Sequence, residues 1–147
     1  MQGRWLALSL LMGVASAAPA QRIESASRST IGYLGADGRI ENSSRSTVGY
    51  ITGNGPDWRI ENASRSTIGY IRGNGQDAWA IENGSRSTMG YVEKTGDGWR
   101  VENSSRSTVG YVDADGRVED SSRSTLGYAP GIPPAWAAVH FFFFRFP

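Results

Sequence analysis

The side chains able to do chemistry form a short inventory. There is one histidine, His140, and no cysteine. That excludes a three-His or Cys/His metal centre, and it leaves the many serines without a repeated base for Ser-His-Asp catalysis. No metal and no other cofactor is expected. The charges are nearly balanced, 15 Lys plus Arg against 14 Asp plus Glu, so no net field points to nucleic acid. Every cation except Lys94 is an arginine, a bias that favours planar, bidentate pairing with carboxylates. The pairs recur along the chain. Arg28, Arg45, Arg65, Arg86, Arg106 and Arg123 sit in Ser-Arg-Ser-Thr, and Glu24, Glu41, Glu61, Glu82, Glu102 and Glu119 each precede one of them. A catalytic site needs a few groups placed asymmetrically, whereas here each Glu has five equivalents. The pattern reads as scaffold, and no enzyme is expected.

The elements that position these charges come from one twelve-residue block, for example Ile40 to Ile51. Six blocks begin at Ile23, Ile40, Ile60, Ile81, Val101 and Val118, separated by variable connectors of 5, 8, 9, 8 and 5 residues. Such repeats mean a repeated supersecondary unit. Arg39-Ile40-Glu41 alternates as a half-buried strand does. Asn42-Ser43-Ser44-Arg45 offers turn chemistry, and Thr47-Val48-Gly49-Tyr50-Ile51 is β-branched and aromatic. Asp37-Gly38, Asp97-Gly98 and Asp115-Gly116 are hairpin signals between blocks. The domain is therefore all-β, six two-strand repeats over residues 21–129, and closing the ring would remove two exposed edges. Closure would also set the Arg and Glu residues in rings, as an exposed network contributing about 0.5 kcal/mol per pair. The glycine beside each tyrosine (Gly32, Gly49, Gly69, Gly90, Gly110, Gly127) predicts a bulge or a close backbone approach.

This unit, a hydrophobic-acidic-Asn start, a Ser/Arg turn and a hydrophobic-Gly-Tyr strand, resembles the bacterial β-flower families over Arg22 to Tyr128. The resemblance implies a closed, pseudo-symmetric shallow barrel with hairpins as petals around an apolar centre. It implies no catalytic residue. Members of those families are described with four or five petals, so six blocks mean either six petals or five hairpins and a closing strand pair. The competing architecture is a β-solenoid with equal residues stacked in ladders.

Specific function is then to be sought outside the repeated core. The three longer connectors carry Trp58, Trp79 and Trp99. Each either folds back over the barrel end or forms a platform for a sugar or other flat ligand. Asp113-Ala114-Asp115-Gly116 resembles a fragment of a calcium loop without the distal Glu, and ordinary turn chemistry accounts for it. The Asn-x-Ser sequons come with the turn.

Residues 1–20 read as a signal peptide, with Arg4, an apolar run from Trp5 to Ala15 and Ala18-Pro19-Ala20 at the cleavage site. That makes the protein secreted or periplasmic, with no transmembrane helix in the mature chain. Residues 130–147 form a Pro-then-Phe-rich tail with three readings. Trp136, Phe141, Phe142, Phe143 and Phe144 plug the barrel, or they dip into a membrane interface, or the segment is an aberrant terminus from a frame change. The function expected is a non-enzymatic secreted or envelope module that binds or scaffolds through rim loops, with a glycan or envelope component as partner. The alternative is a structural cell-surface component held to the membrane by its tail.

Overall fold

The computed structural model describes residues 20–53 and 57–147, so the leader expected over residues 1–20 lies outside it apart from Ala20. Each repeat folds into one hairpin: β1 (Gln21–Ser25) with β2 (Thr30–Leu34), β3 (Arg39–Asn42) with β4 (Thr47–Thr52), and β5 (Trp58–Asn62) with β6 (Thr67–Gly73). The second half follows the same plan. It pairs β7 (Ala78–Asn83) with β8 (Thr88–Thr95), β9 (Gly98–Asn103) with β10 (Thr108–Val112), and β11 (Arg117–Asp120) with β12 (Thr125–Tyr128). All neighbours are antiparallel, and β12 returns to pair with β1 through Glu24↔Tyr128 and Ser25↔Gly127. The result is a closed barrel of six petals, not a solenoid. Closure leaves no strand edge open.

The turn inside each petal follows from its sequence. Arg45 N donates to Asn42 O at 3.0 Å and Asn42 N to Ser46 O at 2.9 Å, while Asn42 Oδ1 accepts from Ser44 N and Ser46 N. In this tight turn the fourth residue, whose N–H closes the turn, must be left-handed, a place usually taken by glycine. Arginine takes it in all six copies, with φ between 67° and 70°. For a residue with a Cβ that conformation costs about 1–2 kcal/mol. The connectors Gly35–Gly38 and Asp113–Gly116 make the same turn with Gly38 (φ 84°) and Gly116 (φ 89°) in that place.

A bulge follows every arginine turn. Glu41 pairs with Thr47 and Ile40 with Gly49, which leaves Val48 unpaired, and the other five hairpins shift at the same point. Beyond the bulge, Gly49 and Ile51 face inward. Inward aliphatics sit side by side on neighbouring petals, as in Leu34↔Ile40, Ile51↔Ile60, Ile71↔Ile81, Val92↔Val101 and Val112↔Val118, and all ten are buried. Burying each contributes about 1.5–3 kcal/mol.

Twelve strands enclose more space than wall side chains fill, and the tail occupies it. After Pro130 the chain turns into helix α1 (Pro134–Ala138), whose Ala135, Ala137 and Ala138 are buried in the barrel core. A π-helical turn over Val139–Phe143 follows, closed by Phe144 N donating to Val139 O at 2.9 Å. Its wider winding lowers the step between successive side chains from the about 100° of an α-helix, toward the step a six-petalled wall demands. Each petal's glycine then faces one ring of the tail: Gly32 His140, Gly127 Phe141, Gly110 Phe142, Gly90 Phe143, Gly69 Phe144 and Gly49 Phe146. The rings visit the petals in reverse chain order. A methyl on Gly49 would lie 2.7 Å from the Glu61 carbonyl oxygen and 2.8 Å from the Phe146 ring. The same clash, with the next petal's backbone and with a tail ring, holds at the four glycines that meet a Phe beyond it. These are close approaches of the kind only glycine permits.

Candidate binding groove at the connector rim

The charged residues form a repeated clamp on the outside of the barrel. In the second petal Glu41 Oε1 accepts from Arg45 Nη1 at 3.1 Å, and its Oε2 lies 3.1 Å from Arg39 Nη2. Arg45 also lies over the ring of Tyr33 from the preceding petal, 3.5 Å from its centroid. The same stack is made by Arg65 on Tyr50, Arg86 on Tyr70, Arg106 on Tyr91 and Arg123 on Tyr111, and Arg28 on Tyr128 closes the ring. Where the usual second arginine is replaced by Ala80, Arg72 reaches Glu82 from the opposite strand position, at 3.1 Å. The fifth petal departs from the pattern. Glu93 draws Arg100 to 2.6 Å and stretches its contact with Glu102 to 3.6 Å. The Arg100 hydrogen bond holds the Glu93 carboxyl below its ordinary pKa.

One expectation is corrected here. The six glutamates are not an exposed network: only 4–6% of each is exposed, although each points to the outer face. Two guanidinium groups and a neighbouring tyrosine ring cover each carboxylate. The arginines themselves stay between 38% and 62% exposed. These groups bind one another.

His140 sits among aromatic rings. It lies 5.4 Å from the Phe141 centroid and 6.0 Å from that of Phe146, and its Nδ1 is buried without a partner. Burial pushes its pKa below the ordinary value. Among the described residues no cluster of three His, Cys, Asp or Glu could hold a metal. No helix among them is long and apolar enough to cross a membrane.

The three connector tryptophans lie where the barrel opens at the connector end. Trp58, Trp79 and Trp99 pack partly buried against the core, their registers opposite Ile71, Val92 and Val112. The structure does not bring them into one platform. Trp79 and Trp99 contact each other at 5.1 Å between centroids, while Trp58 meets Trp136 of the tail edge-on at 6.1 Å. Phe141, Phe142, Phe143 and Phe144 are far from this rim in role, since each serves a glycine of the wall.

A groove runs beside the second tryptophan pair. Ala36, Asp37, Ile51, Thr52, Trp58 and Trp136 line a depression of 270 Å³. Ala36 and Trp136 also line an adjoining one of 280 Å³, with Gln21, Leu34, Ile132 and Pro133. Each is slightly smaller than a usual ligand site of about 300–1,000 Å³. Two groove residues carry buried polar atoms without a hydrogen-bond partner among the described residues, Thr52 Oγ1 and Trp136 Nε1. Unsatisfied buried polar atoms are uncommon and costly. Sequence reasoning found Trp58 from its place in a variable loop. It assigned Trp136 to the tail and missed Thr52, Asp37 and Gln21, which no periodicity marks.

No curated protein matches the chain. Among solved structures, a crystal structure of an Arabidopsis thaliana protein is similar at 13% identity with a TM-score of 0.36, covering 83% of this chain and 88% of that one. A family model described as "5-fold beta-flower protein" matches residues 20–145. With nearly the whole described chain inside that match, and six petals where the description gives five, the protein belongs to the 5-fold β-flower family.

Proposed function

We propose that the protein is a non-enzymatic binding module of the secreted or periplasmic space, which takes a neutral sugar-type ligand in the Trp58–Trp136 groove. One observation carries the reading: two indole rings, Trp58 and Trp136, meet edge-on at 6.1 Å and wall a groove at the connector end. Sugars offer apolar C–H faces for an indole and hydroxyls for polar groups at its edge. Asp37 and Gln21, both exposed at the groove, add an acceptor and an amide for orientation. The repeated clamps give the rim a rigid support, which a precise site needs. The compartment rests on the signal pattern of residues 1–20.

Intrinsic tryptophan fluorescence titrated with a panel of neutral oligosaccharides tests the reading. At least one sugar should shift the emission saturably. Trp58→Ala should abolish the response, while Trp79→Ala, in the other pair, should retain it. A flat response across the panel would sink the proposal.

A further inference from the structure

We infer that the outside of the barrel is a second binding surface, a basic belt that takes a linear acidic polysaccharide around the petals. The net charge of +1 hides a separation. Two arginines flank each buried glutamate: Arg22 and Arg28 at Glu24, Arg39 and Arg45 at Glu41, and so on around the ring. The carboxylates are at most 8% exposed at the side chain while their arginines are 38–62% exposed. Solvent therefore meets guanidinium groups all round the outer wall. Each arginine has five N–H donors, and a clamp uses one or two of them on its glutamate. The connector end carries the opposite sign, with Asp37, Asp57, Asp77, Asp97 and Asp115 all exposed. A polyanion is thus attracted to the wall and turned away from the rim.

The shape of the belt selects among polyanions. Its charges run around a convex wall, so a flexible chain can reach more of them than any flat partner surface. Single-stranded nucleic acid binds by stacking its bases on free aromatic faces, but every belt tyrosine already has an arginine over its ring. A duplex is read by an element that enters its groove, and the wall carries none. Repeated carboxylates or sulfates on a sugar chain need only the guanidinium forks, which suit planar oxyanions.

The test is binding of the whole protein to immobilised polygalacturonate and to dextran sulfate, with neutral dextran as control, over a salt series. Both charged polymers should retain the protein, with affinity falling log-linearly in salt as released counterions require. The two arms distinguish a carboxylate from a sulfate preference. R39Q/R59Q/R72Q/R117Q leaves every arginine–tyrosine stack in place and should lose at least about tenfold in affinity at equal salt, with a shallower slope. Should that variant fail to fold, S44E/S64E/S105E/S122E adds opposing charge at exposed turn positions and should weaken binding likewise. Trp58→Ala should bind the charged polymers as before, which separates this surface from the sugar groove, and D37N/D57N/D97N, which removes repelling charge at the rim, should bind them at least as tightly. Unchanged affinity in the folded belt variants would overturn the inference. So would equal retention on duplex DNA, or salt-sensitive self-association by sedimentation, which would make a second copy's acidic rim the occupant.

Discussion

The two faces of one petal solve opposite problems. On the outer face, Glu61 is held by Arg59 and Arg65, and Arg65 lies on Tyr50 of the neighbouring petal. The stack is a contact between repeats, and it recurs with nearly the same distance in all six petals, 3.4–3.5 Å for every arginine over its tyrosine. On the inner face, a symmetric wall of glycines meets a single helical tail that has no repeat of its own. Five of the six sockets receive Phe and one receives His140. The outer face is therefore completed by ring closure, whereas the inner face is completed by a segment outside the repeats. Damage should stay local on the outside and spread on the inside.

The largest expected effect lies on the inner face. In Gly110→Val the new side chain would enter the space of the Glu119 carbonyl and the Phe142 ring, both within the 3.0 Å that real Cβ contacts respect. Overpacking costs typically about 1–3 kcal/mol, and more where backbone must move, so a loss of about 3 kcal/mol or above is expected in urea unfolding. Phe142→Ala in the same chain should recover only part of it, because the carbonyl remains. Full recovery would mean that the wall and the ring are coupled through the plug alone.

An intermediate effect tests the outer clamp. Arg65 is left-handed, a conformation worth about 1–2 kcal/mol of strain in any residue with a Cβ. It is offset by the tyrosine stack, about 0.5–1 kcal/mol at an exposed site, and by a half-exposed ion pair of up to about 1 kcal/mol. Arg65→Ala keeps the strain and loses both contacts, so it should destabilise by about 1–2 kcal/mol. Arg65→Gly loses the contacts and the strain together and should stay within about 1 kcal/mol of the parent. Glycine better than alanine is the order to look for in thermal melts. The reverse order would show that strain is not what the clamp offsets.

The same division explains what could be read in advance. The outer face repeats, so spacing located the six Ser-Arg-Ser-Thr arginines, their glutamates and the turns, while closure of the ring followed from the edges it removes and from the family resemblance. Burial of the glutamates did not follow from spacing. It depends on the arginine of one petal reaching the tyrosine of the next, a contact across petals that a linear pattern does not display. On the inner face the glycines announced a close approach, and the run of four Phe announced an apolar segment. Which ring meets which glycine depends on a π-helical turn, for which Val139–Phe143 carries no local signature. The groove was least legible, because Thr52, Asp37 and Trp136 come from three connections that share no pattern and meet only after closure.

The smallest effect concerns the one socket that differs. His140 is buried with Nδ1 unpartnered, and burial lowers its pKa from the ordinary value near 6.5. Its neutral form is the one the barrel holds. As pH falls through 6.5 the unfolded chain takes up a proton that the folded chain refuses, so the unfolded state binds more protons and stability must decline. The decline continues until pH passes below the folded value, where both states are protonated. Above 6.5 neither state gains a proton and this contribution vanishes. His140→Phe would give the first petal the same ring that the other five already have. Its unfolding free energy should match or modestly exceed that of the parent at pH 7.5, and it should lose this part of the decline between pH 6.5 and 5. Other carboxylates will still contribute to the acid limb, so the quantity to measure is the difference between the two proteins in urea midpoint across that window. A difference that widens as pH falls identifies the histidine socket as the one point where the plug senses protons. Parallel curves would show that His140 rehydrates in the folded barrel and that all six sockets, despite the change of residue, behave alike.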